Sequence, residues 1–185
     1  MDGFNFRLKI AARWINAGEV VAYPTEAVWG LGCDPYNPYA VDKLLQLKSR
    51  PVEKGLILIA SHIDQFKPIL ENLPPEQFDQ LDNSWPAPLT WLVPASNLVP
   101  EWIRGKHSSV ALRVTAHPVA AQLCTLVGGP IVSTSANPGS RREARTSLAV
   151  RRYFGRQLAA ITPGNVGAQQ KPTEIRDLIS GRVLR

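Results

Sequence analysis

Short apolar runs recur along this chain: EVVAY, GLILIA, LTWLVP, SSVALRV, PIVSTS and LAAIT. GLILIA is too brief and too uniformly apolar for a surface helix, so it reads as an interior strand, and the other runs read as strands as well. Between them lie segments of helical character. Phe4, Leu8, Ala11 and Ile15 recur at helical spacing with Gly18 as a stop, which predicts an amphipathic helix over 4–17. Asn37 followed by Pro38 is a cap and first-turn pair for YAVDKLLQLK. Ser61 is expected to cap a helix containing Pro68, and PPEQFDQL to open another. His117-Pro118 opens PVAAQLCTLV, stopped by Gly128, and TSLAVRRYF ends at Gly155. The tail TEIRDLISGRVLR reads as strand, turn at Gly181 and final strand. Helix and strand alternate without a repeat or a low-complexity linker, which predicts an α/β fold around one mixed sheet.

At 185 residues the chain is the length of one domain. Its 21 lysines and arginines against 15 aspartates and glutamates give a formal charge of +6, which favours an anionic partner such as a nucleotide or a nucleic acid. Cys33 and Cys124 lack the number and spacing for a disulfide framework or a zinc site, and read as buried free thiols in a reducing compartment. Arg7, Lys9 and Arg13 interrupt any signal-peptide core, and no apolar window approaches a membrane span, so the expected location is cytoplasmic.

Two polar stretches sit at junctions where strands meet loops. In KSRPVEKG, Arg50 precedes Pro51 and is therefore held extended. Lys48 and Arg50, two apart in an extended segment, would share a face and reach one target. In STSANPG, Ser133, Ser135 and Asn137 alternate at the end of PIVSTS, where open α/β sheets bind ligands. A cationic pair beside a row of small donors suits a phosphate. In SSVALRV, alternation sets Arg113 opposite Val110, Leu112 and Val114; with the apolar trio in the core, Arg113 faces a cleft and can grip a carboxylate.

In order along the chain, VAYPTEAVWGLGCDP, KSRP, WPAPLTWLVP, VALRVTAHP, STSANPG and KPTEIRD resemble the YrdC/TsaC family of threonylcarbamoyl-AMP synthases, from about Gly18 to Arg185. The resemblance implies the short form, one YrdC-like domain over 1–185, with a twisted mixed parallel/antiparallel sheet flanked by helices. It implies a nucleotidyltransferase that turns L-threonine, bicarbonate or CO2, and ATP into threonylcarbamoyl-adenylate, pyrophosphate and water. That product serves N6-threonylcarbamoyladenosine formation at position 37 of tRNAs reading codons that begin with A, through downstream transfer proteins. By motif, Lys48 and Arg50 are the expected catalytic pair on the triphosphate. Lys54, Ser135, Asn137, Arg145 and Arg185 join them around ATP. Thr25, Arg113, Ser133 and Thr173 are expected around threonine.

The chain departs from the family pattern at Ala27, at Ala87 where glycine is usual, at Glu174 in KPTEI, and in lacking a histidine in LILIA. Carboxylates near the motifs are few, Glu26 and Asp34, so Mg2+ is expected to come with ATP rather than in a protein metal site. No G-x-x-x-x-G-K-[ST] loop, G-x-G-x-x-G turn or G-x-S-x-G elbow is present. His62, His107 and His117 lack metal-ligand spacing and read as surface or capping residues. The alternative class is a non-catalytic binding module for structured RNA such as tRNA or rRNA, in which tryptophans would stack on bases, and tRNA or double-stranded RNA is also an expected partner of the enzyme. Trp14 on a helix pattern and Trp91 on a strand instead read as core.

Overall fold

The computed structural model describes residues 3–169 and 173–185; Lys171 and Pro172 of the KPTEIRD stretch lie outside them. Eight strands form one sheet: β1 (Val21–Pro24), β2 (Trp29–Gly32), β3 (Ile57–Ala60), β4 (Leu89–Pro94), β5 (Ser109–Val114), β6 (Ile131–Ser135), β7 (Ala160–Ile161) and β8 (Glu174–Asp177). Their order is β7-β1-β2-β6-β3-β5-β4-β8. The pairs β7/β1, β3/β5 and β4/β8 are parallel and the other pairs antiparallel, so the expected mixed α/β sheet is the one observed. The helices are α1 (Gly3–Asn16), α2 (Pro38–Lys48), α3 (Lys67–Leu70), α4 (Pro75–Ser84), α5 (Glu101–Arg104), α6 (Pro118–Val127) and α7 (Ser147–Phe154). Among the described residues no helix is long and apolar enough to cross a membrane.

Capping chemistry sets several helix ends. Asn37 Oδ1 accepts from the Tyr39 and Ala40 amides at 3.0 and 3.2 Å, with Pro38 in the first turn of α2. Gly128 takes the left-handed conformation that stops α6 (φ 86°). The segment after β3 differs from expectation. A 3-10 turn, Ile63–Phe66, precedes the single-turn α3, and the His62 ring accepts from the Asp64 amide. Ser61 donates instead, through its amide and hydroxyl, to Gln65 Oε1.

The two faces of the sheet are covered differently. On one, Leu31, Leu58, Leu112 and Val132 pack with Val41 and Leu44 of α2, Phe66 and Leu81. On the other, Val21, Tyr23, Ile59 and Ile131 meet Ala11, Ala12 and Ile15 of α1 and Ala120, Leu123 and Cys124 of α6. Both cysteines are buried free thiols. Trp91 is in the core, as its strand position implies, but Trp14 lies on the outer side of α1 and is 44% exposed. Helical spacing identifies a stripe, and Trp14 falls outside the stripe made by Leu8, Ala11 and Ile15. Ala87 takes no positive φ, so its replacement of glycine carries no backbone strain.

Tyr23 crosses β2 and donates its hydroxyl to the Val132 carbonyl at 3.0 Å. The crossing is possible because β2 presents glycine there. A Cβ on Gly32 would lie 2.5 Å from the Val132 oxygen and 2.7 Å from Tyr23 Cε1. Gly32→Ala is therefore expected to cost about 1–3 kcal/mol by overpacking, read as a shift in chemical denaturation midpoint. An unshifted midpoint would mean that the ring and the Val132 backbone both give way at little cost.

Candidate active site

Beyond the end of α1 and α6, the same sheet face opens into a cavity of about 400 Å3. Gly30 lies in its floor, where the missing side chain leaves space between Thr25 and the Tyr23 ring. Eight of the residues expected from sequence line this cavity: Thr25, Arg50, Arg113, Ser133, Ser135, Arg145, Thr173 and Arg185. β6 supplies Ser133 and Ser135 at alternate positions, and β5 supplies Arg113 from the face opposite Leu112. Thr25 donates its hydroxyl to the Val28 carbonyl at 2.8 Å, which closes the tight turn between β1 and β2.

Thr173 joins two arginines. Its Oγ1 accepts from Arg113 Nη1 at 2.6 Å, and its carbonyl accepts from Arg185 Nε and Nη2, both at 3.3 Å. Behind Arg113 lies Glu26, with Oε2 3.6 Å from Arg113 Nη2. Glu26 Oε1 accepts from Thr115 Oγ1 at 2.6 Å and from the Ala116 amide at 3.2 Å. Burial pushes the Glu26 carboxyl up, but Arg113 and the Thr115 hydrogen bond together outweigh it and hold the group below its usual range. Asp34, the other carboxylate noted near the motifs, accepts from the Tyr36 amide in a local turn. His117 holds the N-cap position of α6, as a capping role implied, but its side chain makes no cap bond: it is buried, and its Nε2 bonds the Asn165 carbonyl at 3.0 Å.

Three expected residues stand elsewhere. Lys54 is exposed and outside the cavity lining. Lys48 and Asn137 lie buried behind it. Lys48 Nζ donates to the Ser135 and Asn137 carbonyls and, at 3.2 Å, to Asn137 Oδ1. Asn137 in turn accepts from the Ser135 hydroxyl at 2.6 Å and donates to the Arg141 carbonyl at 2.6 Å. Lys48 thus holds the loop after β6 rather than presenting free N–H groups to the cavity.

The segment from Lys48 to Arg50 is not extended, as the sequence implied. Lys48 is the last residue of α2, Ser49 is left-handed (φ 48°), and the amides of Ser49 and Arg50 bond Gln46 and Leu45. This is a Schellman stop, with serine where glycine is usual. The rule for residues preceding proline constrains Arg50 alone and says nothing of Ser49. Arg50 is turned by the stop toward the cavity and donates Nη2 to the Gly55 carbonyl at 2.8 Å.

Sequence reasoning missed Arg142 and Glu143, which also line the cavity. Their signal was the dense charge of RREAR, immediately beyond the STSANPG turn. With them the lining holds Arg50, Arg113, Arg142, Arg145 and Arg185 against one carboxylate, Glu143. Such a wall suits an anion bearing several charges. It does not suit a protein-held divalent metal, which needs converging oxygens, and no metal-binding cluster of His, Cys, Asp and Glu occurs among the described residues.

Burial, followed by repulsion from Arg50, pulls the Lys48 ammonium down to about 8 from 10.5, against a smaller opposite pull from Glu143. Between those two values the unfolded chain holds a proton that the folded chain has released, so folding is favoured as pH rises through the window. The stability of the wild type relative to Lys48→Met is expected to climb from about pH 8 to 10.5 in denaturant titrations. A difference independent of pH would mean that this ammonium is well solvated.

A family model described as telomere recombination, and named for Sua5, YciO and YrdC, matches residues 13–185. A threonylcarbamoyl-AMP synthase of Pseudomonas putida is 55% identical over 181 residues, 98% of this chain and 97% of that protein. One from Cellvibrio japonicus is likewise 55% identical, over 98% of this chain and 96% of that protein. Among solved structures, P. abyssi Sua5 complexed with L-threonine superposes with a TM-score of 0.90 at 31% identity. The match covers 98% of this chain and 54% of that one, so the chain spans about half the length of that Sua5. E. coli YciO shares the fold, with a TM-score of 0.84 at 24% identity over 98% of this chain and 89% of that one.

Proposed function

The chain belongs to the Sua5/YciO/YrdC family, and on that premise we propose that it is a threonylcarbamoyl-AMP synthase. L-threonine, bicarbonate or CO2, and ATP give L-threonylcarbamoyl-adenylate, pyrophosphate and water. The observation that carries this reading is the 55% identity to proteins so named, over nearly the full length of both. The threonine bound by P. abyssi Sua5 supports the choice of amino acid. The enzymatic relatives favour this reading over a non-catalytic RNA module. The enzyme works in the cytoplasm as one YrdC-like domain. Its adenylate passes to proteins that place the threonylcarbamoyl group on tRNA.

The chemistry asks mainly for positioning. Threonine's amine combines with CO2 to give a carbamate, whose oxygen attacks the α-phosphorus of ATP while pyrophosphate leaves. Two anions must approach, and the leaving group gains charge, so fixed cations are the appropriate catalysts. Arg113 takes the threonine carboxylate, with Thr25, Ser133 and Thr173 around the amino acid. Arg50, Arg142, Arg145, Arg185 and Ser135 face the nucleotide. Lys48 and Asn137 serve from behind by holding the loop that carries Ser135 and leads to Arg142. Lys54 is left for an outer contact at most. A divalent ion on the triphosphate would be held by phosphate oxygens and water, given the arginine-rich lining.

Incubation with ATP, threonine and bicarbonate is expected to release pyrophosphate only when all three are present, with the adenylate identified by mass. Release indifferent to threonine would overturn the assignment. Arg113→Ala is expected to raise the threonine requirement by about tenfold to a hundredfold, the effect of losing a charge-assisted contact. ATP affinity should stay nearly unchanged in that variant. Equal loss for both substrates would instead place Arg113 on the triphosphate or in the fold.

A further inference from the structure

Glu26 is a largely buried acid behind Arg113, outside the lining of the basic cavity, and the chemistry proposed above gives it no task. Its side chain is 12% exposed and that of Arg113 7%. One oxygen, Oε1, is fully engaged by Thr115 and Ala116. The other, Oε2, is buried without a hydrogen-bond partner and faces Arg113 Nη2 at 3.6 Å. A carboxylate held for stability alone would be expected to satisfy both oxygens, because leaving one buried and unpaired is costly. The surrounding backbone fixes the residue firmly. Gln169 donates its amide to the Glu26 carbonyl at 3.2 Å, and Gly167 donates to that of Thr25 at 3.0 Å. β5 carries the cation, Arg113, and the residue just past its end, Thr115, supplies the hydroxyl that aims the counter-charge.

We propose that Glu26 determines substrate specificity by counter-charging Arg113, so that the amino-acid end of the cavity selects a zwitterion over a simple anion. The inference rests on Arg113 receiving the threonine carboxylate. An isolated buried arginine attracts any anion, including phosphate and carboxylates without an amine. Paired with Glu26, it presents a dipole of nearly zero net charge. The carboxylate of an amino acid then meets the cationic pole, while its ammonium gains from the negative field of Glu26. Of the other lining arginines, Arg185 is bonded to the Thr173 carbonyl beside Arg113, while Arg50, Arg142 and Arg145 share the lining with Glu143 and offer excess charge to a polyanion. The ordinary state of Glu26 is the charged one, consistent with the depressed pKa that Arg113 and Thr115 give it against burial.

The test compares two ligands on the full-length protein by calorimetry: L-threonine, and 3-hydroxybutanoate, which keeps the carboxylate and hydroxyl but lacks the ammonium. The wild type is expected to prefer threonine by at least about tenfold. In Glu26→Gln that ratio is expected to fall about tenfold, with ATP affinity held within about twofold. Glu26→Asp keeps the charge and should keep the ratio within about threefold. If Glu26→Gln does not fold, Thr115→Val, which removes the donor that aims Glu26, is expected to lower the ratio in the same direction. Equal binding of the two ligands by the wild type overturns the proposal. So does an unchanged ratio in Glu26→Gln, or in Thr115→Val where that variant stands in, or a loss of ATP affinity in step with threonine in a variant of wild-type melting temperature. A wild type that binds no threonine overturns the functional reading on which the proposal rests, which separates the two failures.

Discussion

Helices α1 and α6 cover one end of a sheet face, where Val21, Tyr23, Ile59 and Ile131 are buried, and the other end of that face is left open. The uncovered part must still be stable, so its strands are buried by the layer beneath, through Leu31, Leu58, Leu112 and Val132. Upward-pointing side chains there are free to be polar or absent. Ser133, Ser135 and Arg113 take the first option and Gly30 the second. The boundary between covered and open ends is Tyr23, whose ring occupies the space that a side chain at Gly32 would need. Strand polarity, helix placement and cavity are thus one arrangement seen at three scales.

The edge of that opening depends on a buried ammonium. Removing a lysine charge from water costs several kcal/mol unless acceptors replace the solvent. Two carbonyls and an amide oxygen from residues 135–137 do so for Lys48. Its position in the last turn of α2 adds the favourable field of the helix C-terminus. Burial and then repulsion from Arg50 oppose this, and of the two cations only Arg50 lines the cavity. The same local stop that buries Lys48 turns Arg50 outward. Two cations that share a motif therefore have separate structural roles.

These roles mark the limit of what the residues alone disclosed. The alternation of apolar runs and helical segments gave the sheet class, and the caps at Asn37 and Gly128 gave helix ends, because those signals are local. β2 went unseen: WGLG is half glycine, and its reason for being glycine is Tyr23, which is adjacent only in space. Trp14 was assigned to the core because periodicity shows which residues share a stripe but not how wide the stripe is. Spacing brought Arg50, Arg113, Ser133 and Ser135 into view, and resemblance added Thr25, Arg145, Thr173 and Arg185. Neither could separate Lys48 from Arg50, since that depends on a left-handed serine between them. Arg142 and Glu143 lay in a charged loop with no spacing rule, placed by Asn137 bonding the Arg141 carbonyl.

Charge distribution then connects the geometry to the reaction. A synthase of this kind must accept a zwitterion and a polyanion side by side without letting the polyanion occupy both places. A uniformly basic cavity would fail, because the triphosphate would outcompete a single carboxylate for every arginine. On the proposed reading, pairing Arg113 with a largely buried acid, while Arg50, Arg142 and Arg145 share the lining with Glu143, would make the potential less positive at Arg113 than at those three.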